Sequence, residues 1–256
     1  MSDDGLEGKV AVVTGAARGF GFAIAEELTA RGATVVVSDI DEDAAGAAAE
    51  RLDRAEPVAC DVRDEQQVAD LINGVTQRHD ALDVVVANAG IGAVCPLVEM
   101  SLKEWRAVMA INLDGTFLTV RAAGAEMARR GSGAIVTTAS VTALAGSLGI
   151  GHYAAAKAGV INLTKTLAAE LRPSGVRANA ICPGFADTQL VRDQQDQLEA
   201  LLPEGMTLDE LLLAKQGGWG RAEDVAGAVC FLAGKRAAWI TGTALVIDGG
   251  MRASLL

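Results

Sequence analysis

Tyr153 is the only tyrosine of this sequence, and Lys157 follows it by four residues. On a helix, positions i and i+4 share a face, so a titratable phenol and an ammonium would project the same way. A tyrosine packing its ring while a lysine reaches for solvent is the bland reading of the same pair. Upstream, Ser140 ends an apolar run thirteen residues before Tyr153, and Asn112 lies in the helical stretch before that run. A second cluster stands near the start of the chain. Gly15, Gly19 and Gly21 follow a valine-rich run, and Asp39 ends the next such run. Glycines let a backbone bend tightly and approach a pyrophosphate, whose charge the first N–H groups of a helix offset. A carboxylate at the end of the second run suits a ribose diol and repels a 2′-phosphate.

The elements that must hold these groups are legible in the pattern. Lys9–Thr14 reads as a strand buried on both faces. Ile24, Ala25, Leu28 and Ala30 recur at helical spacing, with Gly32 as terminator, and Thr34–Ser38 is a second strand. Strand, turn, helix and strand make a right-handed βαβ crossover. The alternation continues with a helix over Ala44–Leu52 and a strand over Pro57–Cys60 ending at Asp61-Val62. Asp64 and Gln67 have capping-box spacing and open a helix to about His79. Leu82–Ala87 is a strand closed by Asn88-Ala89-Gly90; Ser101 and Glu104 cap a helical region reaching about Arg130. Strands over Ala134–Ala139, Val176–Cys182 and Ala244–Asp248 and a helix from His152 to Leu171 complete the series. The expected fold is α/β: a doubly wound parallel sheet of Rossmann type, roughly seven strands with helices on both faces, in a single domain over residues 1–256. Residues 187–220 interrupt the alternation with a leucine-rich helical insert containing a third capping box, Thr207 to Glu210. Its place after a strand's carboxyl end fits a substrate lid; a packing helix or a subunit contact remain open.

Composition excludes several function classes. The formal net charge is −11, which argues against a nucleic-acid or anionic-membrane surface. Cys60, Cys95, Cys182 and Cys230 are scattered, and with only two histidines, His79 and His152, no metal site is expected. The thiols read as small buried groups in a reducing compartment. No apolar run approaches a membrane span, and the acidic start MSDDGLEGK resembles neither a secretory nor a transit signal, so a cytoplasmic protein is expected. His152 reads as a solvated residue at a helix start.

Thr14-Gly15-x-x-x-Gly19-x-Gly21, with Asn112, Ser140 and Tyr153-x-x-x-Lys157, resembles the cofactor signature and catalytic tetrad of the short-chain dehydrogenase/reductase family. Asp61-Val62, Asn88-Ala89-Gly90 and Pro183-Gly184-x-x-x-Thr188 resemble further family positions, so the resemblance runs from Lys9 to Gly250. It implies hydride transfer between a secondary alcohol or its ketone and a nicotinamide dinucleotide. Tyr153 would be the general acid/base, its phenolate favoured by Lys157 and by the positive ring of the oxidised cofactor. Lys157 would also bond the nicotinamide ribose, Ser140 would hydrogen-bond the substrate oxygen, and Asn112 would hold a water leading to solvent. The remaining cofactor positions implied are Arg18, Phe20, Ile40 and Phe185, and Asp61 would accept from the adenine amino group with Val62 against the ring. Phe20 and Phe22 stand where relatives carry smaller aliphatics. Arg18 is the kind of residue that helps hold a 2′-phosphate, but Asp39 opposes it, and NAD is expected over NADP.

Val94, Val141, Leu144, Leu148, Phe185, Leu190 and the leucine-rich insert are the expected pocket walls, apolar and without charged anchors, which points to a hydrophobic or uncharged small molecule. Among them Val141 and Leu190, with Ser140 and Tyr153, are the expected substrate contacts. The alternative is a 3-oxoacyl-(acyl-carrier-protein) reductase using NADPH, which shares fold and tetrad. A scaffolding or redox-sensing protein that binds dinucleotide without chemistry need not keep all four groups. Gly115, Ala122, Ala123, Gly124, Ala154, Ala158 and Gly159 permit close helix packing, and the family resemblance implies a homotetramer through these helices.

Overall fold

The computed structural model describes residues 4–253. Seven parallel strands form one sheet: β1 Val10–Thr14, β2 Thr34–Asp39, β3 Ala55–Ala59, β4 Val84–Ala87, β5 Gly133–Thr138, β6 Val176–Pro183 and β7 Ala244–Ile247. Their spatial order is β3-β2-β1-β4-β5-β6-β7. The chain builds outward from β1 to β3, then restarts on the other side of β1 with β4. That reversal opens a crevice beyond the carboxyl ends of β1 and β4, where open α/β sheets bind ligands.

The valine-rich runs explain the layering. Successive side chains on a strand point to opposite faces. Ala11, Val13, Val35, Val37, Val84 and Val86 accordingly pack with the helices α1 (Gly19–Ala30) and α10 (Ala222–Ala233). Val10, Val12, Val36 and Val85 pack with α3 (Glu65–His79) and α5 (Gly115–Arg130) on the other face. Pairing of β1 with β2 is in register from Val10 opposite Thr34 to Thr14 opposite Ser38, which brings Gly15 and Asp39 to the same edge.

Several expectations shift in detail. The second helix, α2, covers Glu42–Ala49 and starts earlier than its alanines suggest, because the Asp41 side chain caps it by accepting from Ala44 N–H. The helical region after Ser101 is one rod in three parts: α4 (Leu102–Met109), a π turn over Ala110–Asp114, and α5. The small residues of α5 and of α6 (Gly151–Leu171) largely serve packing within the subunit. A Cβ on Gly115 would meet Val62, one on Gly124 would meet Leu171, and one on Gly159 would meet Leu113. Cys95 is partly exposed, while the other three thiols are buried. Residues 187–220 hold α7 (Gln189–Arg192), α8 (Gln195–Glu199) and α9 (Leu208–Gln216). Their base is pinned: Gln216 Oε1 accepts from Phe185 N–H, Gln216 Nε2 donates to the Phe185 and Gly218 carbonyls, and Ala186 bridges to Gly220. No helix among the described residues is long and apolar enough to cross a membrane.

Candidate active site

The crevice is a cleft of about 820 Å³ that collects residues from almost every strand end. Gly15, Arg18, Gly19, Phe20, Asp39, Ile40, Asp61, Val62, Asn88, Ala89 and Gly90 line one half. Asn112, Ser140, Val141, Tyr153, Lys157, Pro183, Gly184, Phe185, Thr188 and Leu190 line the rest. Of the nominated catalytic and cofactor positions only Gly21 is not on the wall. It is buried beneath the turn, where a Cβ would stand 2.1 Å from the Gly15 carbonyl oxygen and 2.7 Å from Asn88 Nδ2. Its service is close packing, not contact. Gly19, at φ +56°, supplies the turn itself. Phe22 also leaves the cleft: its ring lies under the Arg51 guanidinium, 4.1 Å from centroid to Cζ.

The N-terminus of α1 opens onto this crevice without a side-chain cap. Arg18 stands at its cap position in an extended conformation with no capping hydrogen bond, and no acidic residue lies in the first turn. By contrast α3, α4 and α9 are capped by Asp64, Ser101 and Thr207. Open N–H groups, a positive helix end and a glycine turn fit the pyrophosphate of a dinucleotide. Asp39 lies beside the turn, one carboxylate oxygen accepting from Ala17 N–H at 3.1 Å. Asp61 differs from expectation. Its carboxylate takes a fork from Arg63, with Nε at 2.9 Å from Oδ1 and Nη2 at 2.5 Å from Oδ2, which lowers its pKa. Arg63, unnoticed in the sequence, therefore shares this end of the cleft. Asn88 staples three strand ends, donating to the carbonyls of Thr14 and Gly15 and accepting from Thr138 Oγ1.

At the other end, Tyr153 and Lys157 share a face of α6, with Lys157 Nζ 5.5 Å from the phenol ring centroid. Lys157 is 2% exposed and donates to the Thr138 carbonyl at 2.7 Å. Burial pushes its ammonium down to about 8. Tyr153 keeps part of its surface in the cleft; burial pushes the phenol up to about 12, with a hydrogen bond to Ser140 pulling the other way. The proximity of Lys157 does not by itself make Tyr153 acidic: desolvation of the phenol dominates. Asn112 sits in the π turn, its Nδ2 donating to the carbonyls of Ile91 and Val108. Its Oδ1 is buried without a partner. A Cβ on Gly90 would fall 2.7 Å from that oxygen and 3.4 Å from Lys157 Nζ, so both atoms face one small space above Gly90. Gly90→Ala should fill it, and turnover should fall at least about tenfold with little change in melting temperature. Paired thermal melts and kcat measurements check this.

His152 is the plain correction. It is fully buried, not solvated, and neither ring nitrogen completes a well-formed hydrogen bond. Burial lowers its pKa, opposed by the Ile150 backbone and the Glu104 carboxylate. The apolar-wall expectation is also revised. Val94, Val141, Phe185 and Leu190 line the cleft, but Leu144 and Leu148 do not, and Leu148 is 73% exposed. Polar residues of the insert, Gln189, Asp193, Gln194 and Gln197, stand there with Leu198. The leucines of the insert drew attention in the sequence; its glutamines gave no signal because no motif contains them.

A doubly wound sheet with an uncapped glycine turn at its switch point defines a dinucleotide-binding α/β protein, and the Tyr-Lys-Ser-Asn cluster at the same crevice makes it an oxidoreductase. The family model described as enoyl-(acyl carrier protein) reductase matches residues 15–252. A cis-4-hydroxycyclohexanecarboxylate dehydrogenase of Sinomonas cyclohexanicum is 41% identical over 96% of this chain and 97% of its own length. A 3-oxoacyl-(acyl-carrier-protein) reductase of Thermotoga maritima is 37% identical over 96% and 98%. The crystal structure of levodione reductase superposes with a TM-score of 0.91 at 33% identity, covering 96% of this chain and 98% of that one. The chain belongs to the short-chain dehydrogenase/reductase family.

Proposed function

We propose that this protein interconverts a secondary alcohol and a ketone using NAD(H), with Tyr153 as general acid/base. The observation that carries the reading is a half-buried phenol that shares the cleft with Ser140 and stands one helical turn from a buried lysine, at the crevice that holds the uncapped glycine turn. The dinucleotide, when bound, gives or takes the hydride. Gly15, Gly19 and the open N–H groups of α1 hold its pyrophosphate; Asp39 takes the adenosine ribose, with Ile40 and Val62 along the adenine and Asp61, held by Arg63, at its edge. Pro183, Gly184, Phe185 and Thr188 border the nicotinamide side, where Thr188 faces Gly19 across the cleft.

Tyr153 Oη holds the proton that the substrate oxygen gains on reduction and loses on oxidation. The Ser140 hydroxyl keeps that oxygen in place and supports its developing charge. Lys157 keeps the phenol in reach of a cation, and the unpartnered Asn112 Oδ1 suits a water joining Lys157 to solvent. Residues 187–220, hinged at the Gln216 clasp, close over the substrate as a lid. A homotetramer built on α5 and α6 is supported by exposed Phe117, Ala155 and Ala158 on those helices; size-exclusion chromatography with light scattering tests it.

The reading is tested by mixing the protein with NAD or NADP and a panel of secondary alcohols and following reduced nicotinamide by absorbance. Turnover with NAD supports it; no turnover with any alcohol or ketone overturns it. Asp39 supports NAD, because its carboxylate stands where a 2′-phosphate would meet like charge. Asp39→Ala should raise the NADP to NAD ratio of kcat/KM by at least about tenfold. One observation favours the reductase alternative with NADPH: Arg18 is exposed at the turn with no ion pair among the described residues. Faster turnover of an acetoacetyl thioester with NADPH than of any alcohol with NAD would decide for it.

A further inference from the structure

The substrate half of the cleft contains a feature that the proposed reaction alone does not require. Three basic side chains line the whole cleft, and none stands unpaired in its substrate half. Arg18 and Arg63 stand at the dinucleotide end, Arg63 already forked onto Asp61. Lys157 is buried and bonded to the Thr138 carbonyl. The insert adds instead one carboxylate, Asp193, and the carboxamides of Gln194 and Gln197. A substrate carboxylate would therefore enter a site with an acid on its wall and no compensating cation, an unfavourable arrangement.

Gln194 is the best-placed of these groups. Its Nε2 donates to the Leu190 carbonyl at 2.7 Å, which holds the amide in one orientation. Its Oε1 has no hydrogen-bond donor among the described residues. The amide lies directly on the Gly92 backbone: a Cβ there would stand 2.5 Å from Nε2 and 2.8 Å from Oε1. Gly92 thus has no side chain where Gln194 needs to lie. It is two residues from Gly90, whose missing side chain leaves room for Asn112 Oδ1 and Lys157 Nζ. Two residues span at most about 7 Å, so the amide and the space beside Asn112 and Lys157 border one short stretch of chain. Leu190, Leu198 and Val94 line the same cleft, beside the polar Asp193 and Gln197. An oriented acceptor on the wall favours a ligand that brings a hydroxyl to it over one that leaves it unpaired.

We propose that Gln194 is a specificity-determining residue that accepts a hydrogen bond from a second, neutral hydroxyl of the substrate, remote from the reacting carbon. The substrate class is then a compact uncharged hydroxy-ketone or diol, in preference to a keto acid or an unsubstituted ring. This rests on the oxidoreductase reading above.

The test uses cyclohexanone, 4-hydroxycyclohexanone and 4-oxocyclohexanecarboxylate with NADH and, in parallel, NADPH. The wild-type protein should favour the hydroxy-ketone over both others by about tenfold or more in kcat/KM. Gln194→Leu should lower the hydroxy-ketone to cyclohexanone ratio by about tenfold, chiefly through KM. Gln194→Arg should raise kcat/KM for the keto acid by about tenfold relative to cyclohexanone. Thermal melts establish that each variant is folded. A ratio unmoved by either substitution, or a wild-type preference for the keto acid, overturns the proposal while leaving the enzyme reading intact. Failure to reduce any of the three ketones with either cofactor overturns the proposal, while the enzyme reading is decided by the wider panel of alcohols and ketones.

Discussion

Tyr153→Phe is expected to lower kcat by about 10³-fold while leaving NADH affinity within about threefold. The ring is retained, so its packing on α6 and the cation–ring approach of Lys157 at 5.5 Å survive. What disappears is the oxygen that exchanges a proton with substrate. In the dinucleotide-free protein that phenol is pushed up to about 12, so at neutral pH it is a fully protonated acid, ready for ketone reduction. Alcohol oxidation needs the opposite form, and its rate should rise with pH in the wild type. In Tyr153→Phe the rise that belongs to the phenol should vanish, leaving at most the dependence set by Lys157, whose ammonium lies at about 8. Steady-state kinetics from pH 6 to 10 and NADH fluorescence titration provide the readouts. Near-normal turnover in the variant would refute the role of Tyr153.

The fold could be read from the chain because it depends on short-range pattern, and the residues gathered in the cleft are nominated by family resemblance. Strands buried on two faces announce themselves as valine runs, and Gly15, Gly19, Asp39, Tyr153 and Lys157 lie at fixed offsets from element ends. Groups whose role depends on the path of the chain or on distant partners were hidden. Arg63 belongs to no motif, and its fork onto Asp61, only two residues away, depends on how the chain turns after β3. Gln216 is one more glutamine in the sequence, yet its carboxamide clasps the base of the insert to Phe185. His152 opens a helix and so reads as solvent-facing, but its side chain turns into the protein and is fully buried. Helical position alone does not tell which neighbours cover a helix end. The π turn around Asn112 was equally invisible, since its side chain satisfies the Val108 carbonyl only once the turn widens.

Lys157→Met is expected to abolish most turnover and yet stabilise the dinucleotide-free protein. Lys157 is 2% exposed, its one hydrogen bond goes to the Thr138 carbonyl, and no carboxylate pairs with it among the described residues. Burial brings its ammonium from 10.5 to about 8, which means that the folded state disfavours the charged form. That difference corresponds to on the order of 3 kcal/mol of lost stability while the lysine stays charged. The sign is definite. Below pH about 8 the fold bears the whole cost; between there and 10.5 the folded protein sheds the proton before the unfolded chain does, and stability recovers as pH rises. Methionine removes the charge but leaves the Thr138 carbonyl without its donor, so a net gain of about 1–2 kcal/mol at pH 7 is expected. For a chain of this size that is a rise in melting temperature of roughly 2–8 °C, shrinking towards zero or reversing at pH 10.5 and above. Thermal melts at both pH values, set beside kcat, measure it. A group retained at such a cost to the fold is explained by what it does for Tyr153, and a Met variant less stable than the parent at pH 7 would remove that explanation.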